Sequence, residues 1–194
     1  MSDNPSENLS FEDVAATLSG PLQRYLERMV GNRADADDLL QETLLRIARG
    51  LPNFEGRSSV KTWAFSIATR VAIDHFRRPD TRVQIVDVDE LQGLSDSELD
   101  IDGRLVIDEM SSCVRSVIDS LPEDYRAALV LHDLEGLTAA ATAEASDCSV
   151  ATAKIRIHRA RARLRKALAA ECDFYRDEQD VFRCDRKSPE ERPE

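Results

Sequence analysis

Ser149–Ala170 reads SVATAKIRIHRARARLRKALAA and carries seven Lys or Arg residues and no acid, inside a chain of formal net charge −11. On a helix beginning at Ser149, the residues Val150, Ala153, Ile157, Ala160 and Leu164 fall on one face. Ala151, Ile155, His158 and Ala162 lie opposite. Lys154, Arg159, Arg161 and Arg165 flank the second face. They reach phosphates on both sides of a major groove, while the small residues between them let the backbone approach the bases. A solvated cationic helix has the same charge. What favours DNA is the preceding segment, TAAATAEAS followed by the turn SDC, which with Thr138 and Ser149 as N-caps makes a helix-turn-helix.

Working outward, charge is sorted along the chain. Residues 1–79 hold ten basic against eleven acidic side chains, residues 80–110 two against ten, and residues 111–147 two against seven. The basic helix follows, and the tail 171–194 holds five against nine. Residues 80–104 have no sustained period and a heavy acidic excess, the composition of a flexible linker. N-terminal to it, apolar residues recur at helical spacing from Pro21 to Val30 and from Ala36 to Leu51, where Ala36, Leu40, Leu44, Ile47, Ala48 and Leu51 make one face. A third helix runs from Val60 to Arg78, stopped by Pro79. C-terminal to the linker, Leu105 to Ile118 is amphipathic, and Pro122 opens a helix reaching Leu134. With 42% hydrophobic but 5% aromatic residues, the 194-residue chain is expected to be all-α and to fold as two small domains, not around one large core. The expected division is 1–79, linker 80–104, helix-turn-helix domain 105–170 and tail 171–194.

No run approaches the ~18 apolar residues of a membrane span, and the polar start MSDNPSENLS lacks a signal-peptide core, so a cytoplasmic location is expected. No cluster of His and carboxylates has ligand spacing and no Gly-rich phosphate loop occurs, so neither an enzyme nor a cofactor is expected. In KTWAFSIATRVAIDHFRR, the residues Trp63, Ser66, Arg70, Asp74 and Arg77 share a face beside the apolar stripe Ala64, Ile67, Ala68 and Val71. An aromatic beside arginines suits unstacked bases; a core tryptophan fits the same spacing.

The residues 31–78, GNRADADDLLQETLLRIARGLPNFEGRSSVKTWAFSIATRVAIDHFRR, resemble region 2 of the extracytoplasmic-function group of bacterial sigma-70 factors. LPEDYRAALVLHDLEGLTAAATAEASDCSVATAKIRIHRARARLR resembles their region 4. The resemblance implies a subunit that binds core RNA polymerase, recognises promoter DNA, helps melt it and serves a stress- or signal-responsive regulon. Asp38, Gln41 and Glu42 match the polymerase-binding motif. Phe54, Arg57, Ser58, Lys61, Trp63, Arg70, Arg77 and Arg78 match the segment that engages the minus-ten element. Ser149, Thr152, Lys154, Ile155, Arg156, His158, Arg159 and Arg161 match the helix that reads the minus-thirty-five element. The sequence leaves open an anti-sigma partner. A stand-alone helix-turn-helix repressor or activator is the alternative reading.

Four positions depart from the family. Thr142 and Ala145 stand where relatives place bulky apolar residues, which thins the first helix of the motif, and Asp147 stands where glycine is common. Ile155 replaces a frequent serine, so an apolar group faces the bases. In the tail, Phe174, Tyr175, Val181 and Phe182 surround the polar run 177–180, so a short hairpin is one option. It would bring Cys172 near Cys184, as a redox pair, a metal site or unreactive thiols. The tail, with Phe174, Tyr175 and Phe182, is expected to fold back and cover the helix-turn-helix domain.

Overall fold

The computed structural model describes residues 10–77, 112–176 and 182–187. Arg78, the acidic linker 80–104 and the start of the amphipathic run at Leu105 lie outside the described residues. The first helix, α1 (Phe11–Val30), starts ten residues before the expected Pro21. Ser10 caps it by accepting from the Asp13 N–H at 3.1 Å. Pro21 sits inside it, tolerated because Val14, Leu18, Leu22, Tyr25, Leu26 and Met29 keep one continuous buried seam. Gly31, at φ 76°, closes it by donating to Glu27 O.

Asn32 then caps α2 (Arg33–Gly50), which a 3-10 turn (Leu51–Asn53) ends. The buried seam of α2 is Ala36, Leu39, Thr43 and Ile47, rotated by about one residue from the expected Leu40 and Leu44, which are half-buried. Thr43 is compatible with that burial because its hydroxyl donates to Leu39 O at 2.7 Å. Ser59 caps α3 (Val60–Phe76). The core between α1 and α3 holds a satisfied polar pair. Thr69 Oγ1 donates to Phe65 O, so the buried Tyr25 hydroxyl donates to Thr69 at 2.8 Å. The Phe65 ring meets Tyr25 edge-on at 5.3 Å.

The second half comprises α4 (Ser112–Asp119), α5 (Glu123–Leu129) running into a π turn (Val130–Leu134), α6 (Ala139–Ala145) and α7 (Val150–Glu171). The two helical domains expected from the sequence pack against each other. One apolar cluster runs from Val14 and Phe65 through Val117 and Leu131 to Ala160 and Leu168. The reason is small side chains. On α3, Ala64, Ala68 and Ala72 recur every four residues and are fully buried. The helix α6 packs against α3 as well as α7, and its Ala141 and Ala145 join the same cluster. The thin helix is therefore thin where another helix lies on it. Thr142 is fully buried there with its hydroxyl unpartnered.

Polar contacts fasten the same junction. Arg126 of α5 donates to Met29 O at the end of α1, to Asp119 O at the end of α4, and to Leu121 O at 3.1 Å. These are carbonyls that helix termini and turns leave without intrahelical partners. Its guanidinium also lies 5.5 Å from the Phe76 ring centre. Arg28 pairs with Glu135 at 2.9 Å, and Lys61 donates to Glu135 O at 2.7 Å. The Glu135 side chain is 6% exposed, and its burial raises its pKa despite Arg28, Arg24 and Lys61 nearby.

The tail adds a two-stranded antiparallel hairpin, β1 (Cys172–Arg176) and β2 (Phe182–Arg186), to the helical domains. It extends from α7, where Lys187 donates to Ala169 O at 2.8 Å and neutralises the carbonyl end of that helix. Tyr175 is 45% exposed. The register sets Cys172 opposite Arg186 and Cys184 opposite Phe174, two register positions apart along the ribbon.

Candidate nucleic-acid interface

Ser149 starts α7 by accepting from the Thr152 N–H at 3.0 Å, and its hydroxyl meets Thr152 Oγ1 at 2.8 Å. Both candidate side chains thus also hold the cap. Thr138 caps α6 in the same way, accepting from the Ala141 N–H. Between the helices, Asp147 has φ 51°, which explains why glycine is common there: the turn needs the left-handed region. Ala153, Ile157 and Ala160 of α7 are buried, so the opposite side, with Ala151, Lys154, Ile155 and His158, stands in solvent. That is the face expected from the spacing.

The arginines of α7 divide into those turned toward the scaffold and those beside the open face. Arg156 pairs with Asp124, and Arg161 grips Asp133 through Nε at 2.9 Å and through Nη2. Arg159 donates to the Tyr125 hydroxyl at 3.3 Å. Arg163, absent from the expected set, lies 4.6 Å from the Tyr125 ring centre. A cation–π partner 38 positions away in sequence leaves no periodic signal. These contacts align the guanidinium groups along the flanks of α7 while its midline stays open.

The candidates on the first domain separate as well. Phe54 packs on Trp63 with ring centres 5.0 Å apart, and Trp63 is half-buried against the core. Neither the bare aromatic platform nor the pure core residue describes it. Arg70 and Arg77 are exposed on the same side of α3. Ser66 is buried and donates to Trp63 O. Lys61, two residues from Trp63 and so on the opposite side of the helix, faces Glu135 of the second domain. Arg57 pairs with Glu55, and Ser58 is half-buried. Gly50 was not anticipated: a Cβ there would sit 2.9 Å from Trp63 Cζ2.

On α2, Asp38, Gln41 and Glu42 are exposed at i, i+3 and i+4, and Leu45 extends the stripe at i+7 with 53% exposure. Leu45 was missed because it lies outside the expected apolar face of Ala36, Leu40, Leu44, Ile47, Ala48 and Leu51. Glu42 also pairs with Arg46 at 2.8 Å, and Arg46 with Asp74 at 3.7 Å. Among the described residues no three His, Cys, Asp or Glu side chains converge as metal ligands, and no helix is long and apolar enough to cross a membrane.

Comparison with known proteins assigns each half separately. The family model for sigma-70 region 2 matches residues 15–82, and the model for sigma-70 region 4 matches residues 111–164. The chain is 36% identical over 167 residues to the RNA polymerase sigma-H factor of Pseudomonas aeruginosa, covering 82% of this chain and 86% of that one. It is 30% identical over 169 residues to the RNA polymerase sigma factor SigZ of Bacillus subtilis, covering 87% and 93%. It is 32% identical over 167 residues to the ECF RNA polymerase sigma factor SigW of the same organism, covering 82% and 89%. Among solved structures it shares the fold of the sigma factor RpoE in complex with the anti-sigma factor NepR from Bartonella quintana, at TM-score 0.62 and 22% identity, covering 82% and 96%. It likewise shares the fold of CnrH in complex with the cytosolic domain of CnrY, at TM-score 0.59 and 23% identity, covering 82% and 88%.

Proposed function

Since the chain belongs to the sigma-70 family of RNA polymerase subunits, in its extracytoplasmic-function group, we propose a division of labour among its surfaces. The chain is an RNA polymerase sigma factor, and its partners are the core enzyme and promoter DNA. The exposed stripe Asp38, Gln41, Glu42 and Leu45 docks on polymerase. Leu45, 53% exposed at the end of the polar stripe, supplies an apolar contact for that docking. Phe54, Trp63, Arg70 and Arg77 engage the melted minus-ten strand, with Arg57 and Ser58 in the loop before α3. The open face of α7 reads the minus-thirty-five duplex, with Lys154 and Arg159 at the phosphates. Lys61 joins the minus-ten contacts once it leaves Glu135.

The observation that carries this reading is the presence of both region matches in one chain, with an exposed cation-flanked helix in the second. It disfavours the stand-alone repressor or activator. The family is regulatory, and we infer that this chain supplies no catalytic step and acts in the cytoplasm, where polymerase works. An acidic chain gains little from DNA alone. Polymerase holding both domains against the promoter makes the second contact intramolecular. An anti-sigma protein is a further proposed partner, in keeping with the complexes formed by RpoE and CnrH.

Transcription from a promoter library with purified core polymerase tests the proposal. Specific transcripts are expected only when chain and core enzyme are both present. Tight sequence-specific duplex binding by the chain alone, with no transcript from the mixture, would overturn it in favour of the repressor reading.

A further inference from the structure

The midline of α7 has an unusual chemical content for a surface facing base edges. Taking Ala153, Ile157 and Ala160 as the inward direction, at 100° per residue, Ile155 points almost diametrically outward. Ala151, His158 and Ala162 lie within about 60° of it. Lys154 and Arg161 fall on one flank and Arg156, Arg159 and Arg163 on the other. Two midline positions therefore present methyl groups, one an imidazole and one a large branched alkyl group. No carboxamide or carboxylate occupies that line, and Arg159, about 40° from Ile155, stands at its edge.

Ile155 is 52% exposed, one of four large apolar side chains so exposed among the described residues, and it has cations on both sides. The flanks seat the helix against the phosphates, which brings the midline to the edges of the base pairs. Of the groups displayed in the major groove, the donors and acceptors of guanine, adenine and cytosine would lose water against an alkyl group and gain no partner. The 5-methyl group of thymine has no hydrogen bond to lose. We propose that Ile155 makes the chain selective for a thymine in the duplex element by packing on that methyl group. The inference rests on the assignment of α7 to the minus-thirty-five duplex. It makes Ile155 a specificity-determining residue, with Ala151 and Ala162 leaving room for the close approach.

The test uses the full chain assembled with core polymerase. Selection from duplexes randomised across the upstream element first identifies the preferred bases, and each selected thymine is then replaced by uracil, which lacks only the methyl group. The expected result is a thymine whose replacement weakens parent binding about fourfold, the value of one buried methyl-sized group. Ile155→Ser holoenzyme should bind the thymine duplex more weakly and be indifferent to uracil. In the parent, cytosine at that position should be improved by 5-methylcytosine, which distinguishes the methyl group from the rest of the base. Equal binding of thymine and uracil by the parent at every selected position overturns the inference. So does an undiminished uracil penalty in Ile155→Ser. The uracil comparison needs no variant, and Ile155 is exposed, so folding does not confound the result. If the holoenzyme selects no duplex at all, the assignment of α7 fails and this inference falls with it.

Discussion

Replacing Arg126 with methionine should loosen the junction between the two halves of the chain. The guanidinium donates to three carbonyls on different segments, Met29 O, Asp119 O and Leu121 O, and rests over Phe76. Hydrogen bonds from a charged donor contribute about 1.5–3 kcal/mol each, an upper limit of about 5–9 kcal/mol for three. Relief of a buried charge offsets part of that. Arg126 is 9% exposed, and desolvation lowers its pKa against the pull of Asp119 and Glu123. A net loss of about 3 kcal/mol is therefore expected for Arg126→Met, which at about 2–4 °C per kcal/mol for a chain of this size lowers Tm by about 6–12 °C. Helical ellipticity of the full chain followed against temperature and urea measures it. Arg126→Lys keeps the charge but cannot reach three acceptors, so it should recover less than half of the loss. A midpoint within about 1 °C of the parent for Arg126→Met, or full recovery by lysine, would refute the reasoning.

Four further outcomes are expected. Glu135 holds its proton more tightly folded than unfolded, so stability should fall as the pH rises from the ordinary value of 4.5 through the raised folded value; urea midpoints across that window should decline less steeply in Glu135→Gln, and equal slopes would count against it. Thr142→Val removes an unpartnered buried hydroxyl at nearly constant shape and should stabilise by about 1–2 kcal/mol, measured by urea denaturation. Gly50→Ala gains helix propensity of about 1 kcal/mol but forces Trp63 to move, so the tryptophan emission should shift and the stability gain should be absent; a stabilised protein with unchanged emission would exclude the clash. Arg159→Ala should give holoenzyme whose binding to promoter duplex is weaker and depends less steeply on salt, because fewer counterions are released; an unaltered slope would remove it from the phosphate contacts.

The features legible in the amino-acid sequence are those whose partners lie a few positions away. Thr138 and Ser149 cap helices through bonds to the third residue on, and the buried and open faces of α7 follow from a period of 3.6. Asp147 was marked by the family resemblance, which places it where glycine is common, and its φ of 51° accounts for that. The seam of α2 was missed by one residue because Thr43 counts as polar until its hydroxyl is seen to bond within its own helix.

What the tertiary structure decided is the joining of the two domains and the consequences for individual side chains. Arg126 meets Met29 across 97 positions and Arg28 meets Glu135 across 107. The alanines of α3 and α6 read as weak core residues until the helices are seen against each other. Lys61 was grouped with Trp63 by family position and separated from it by facing Glu135. Periodicity reports which side of a helix is apolar, since that depends only on the repeat of its own residues. It cannot report which distant helix covers that side, because chain separation leaves no trace in a local pattern, and the pairing is set by the packing of the whole chain.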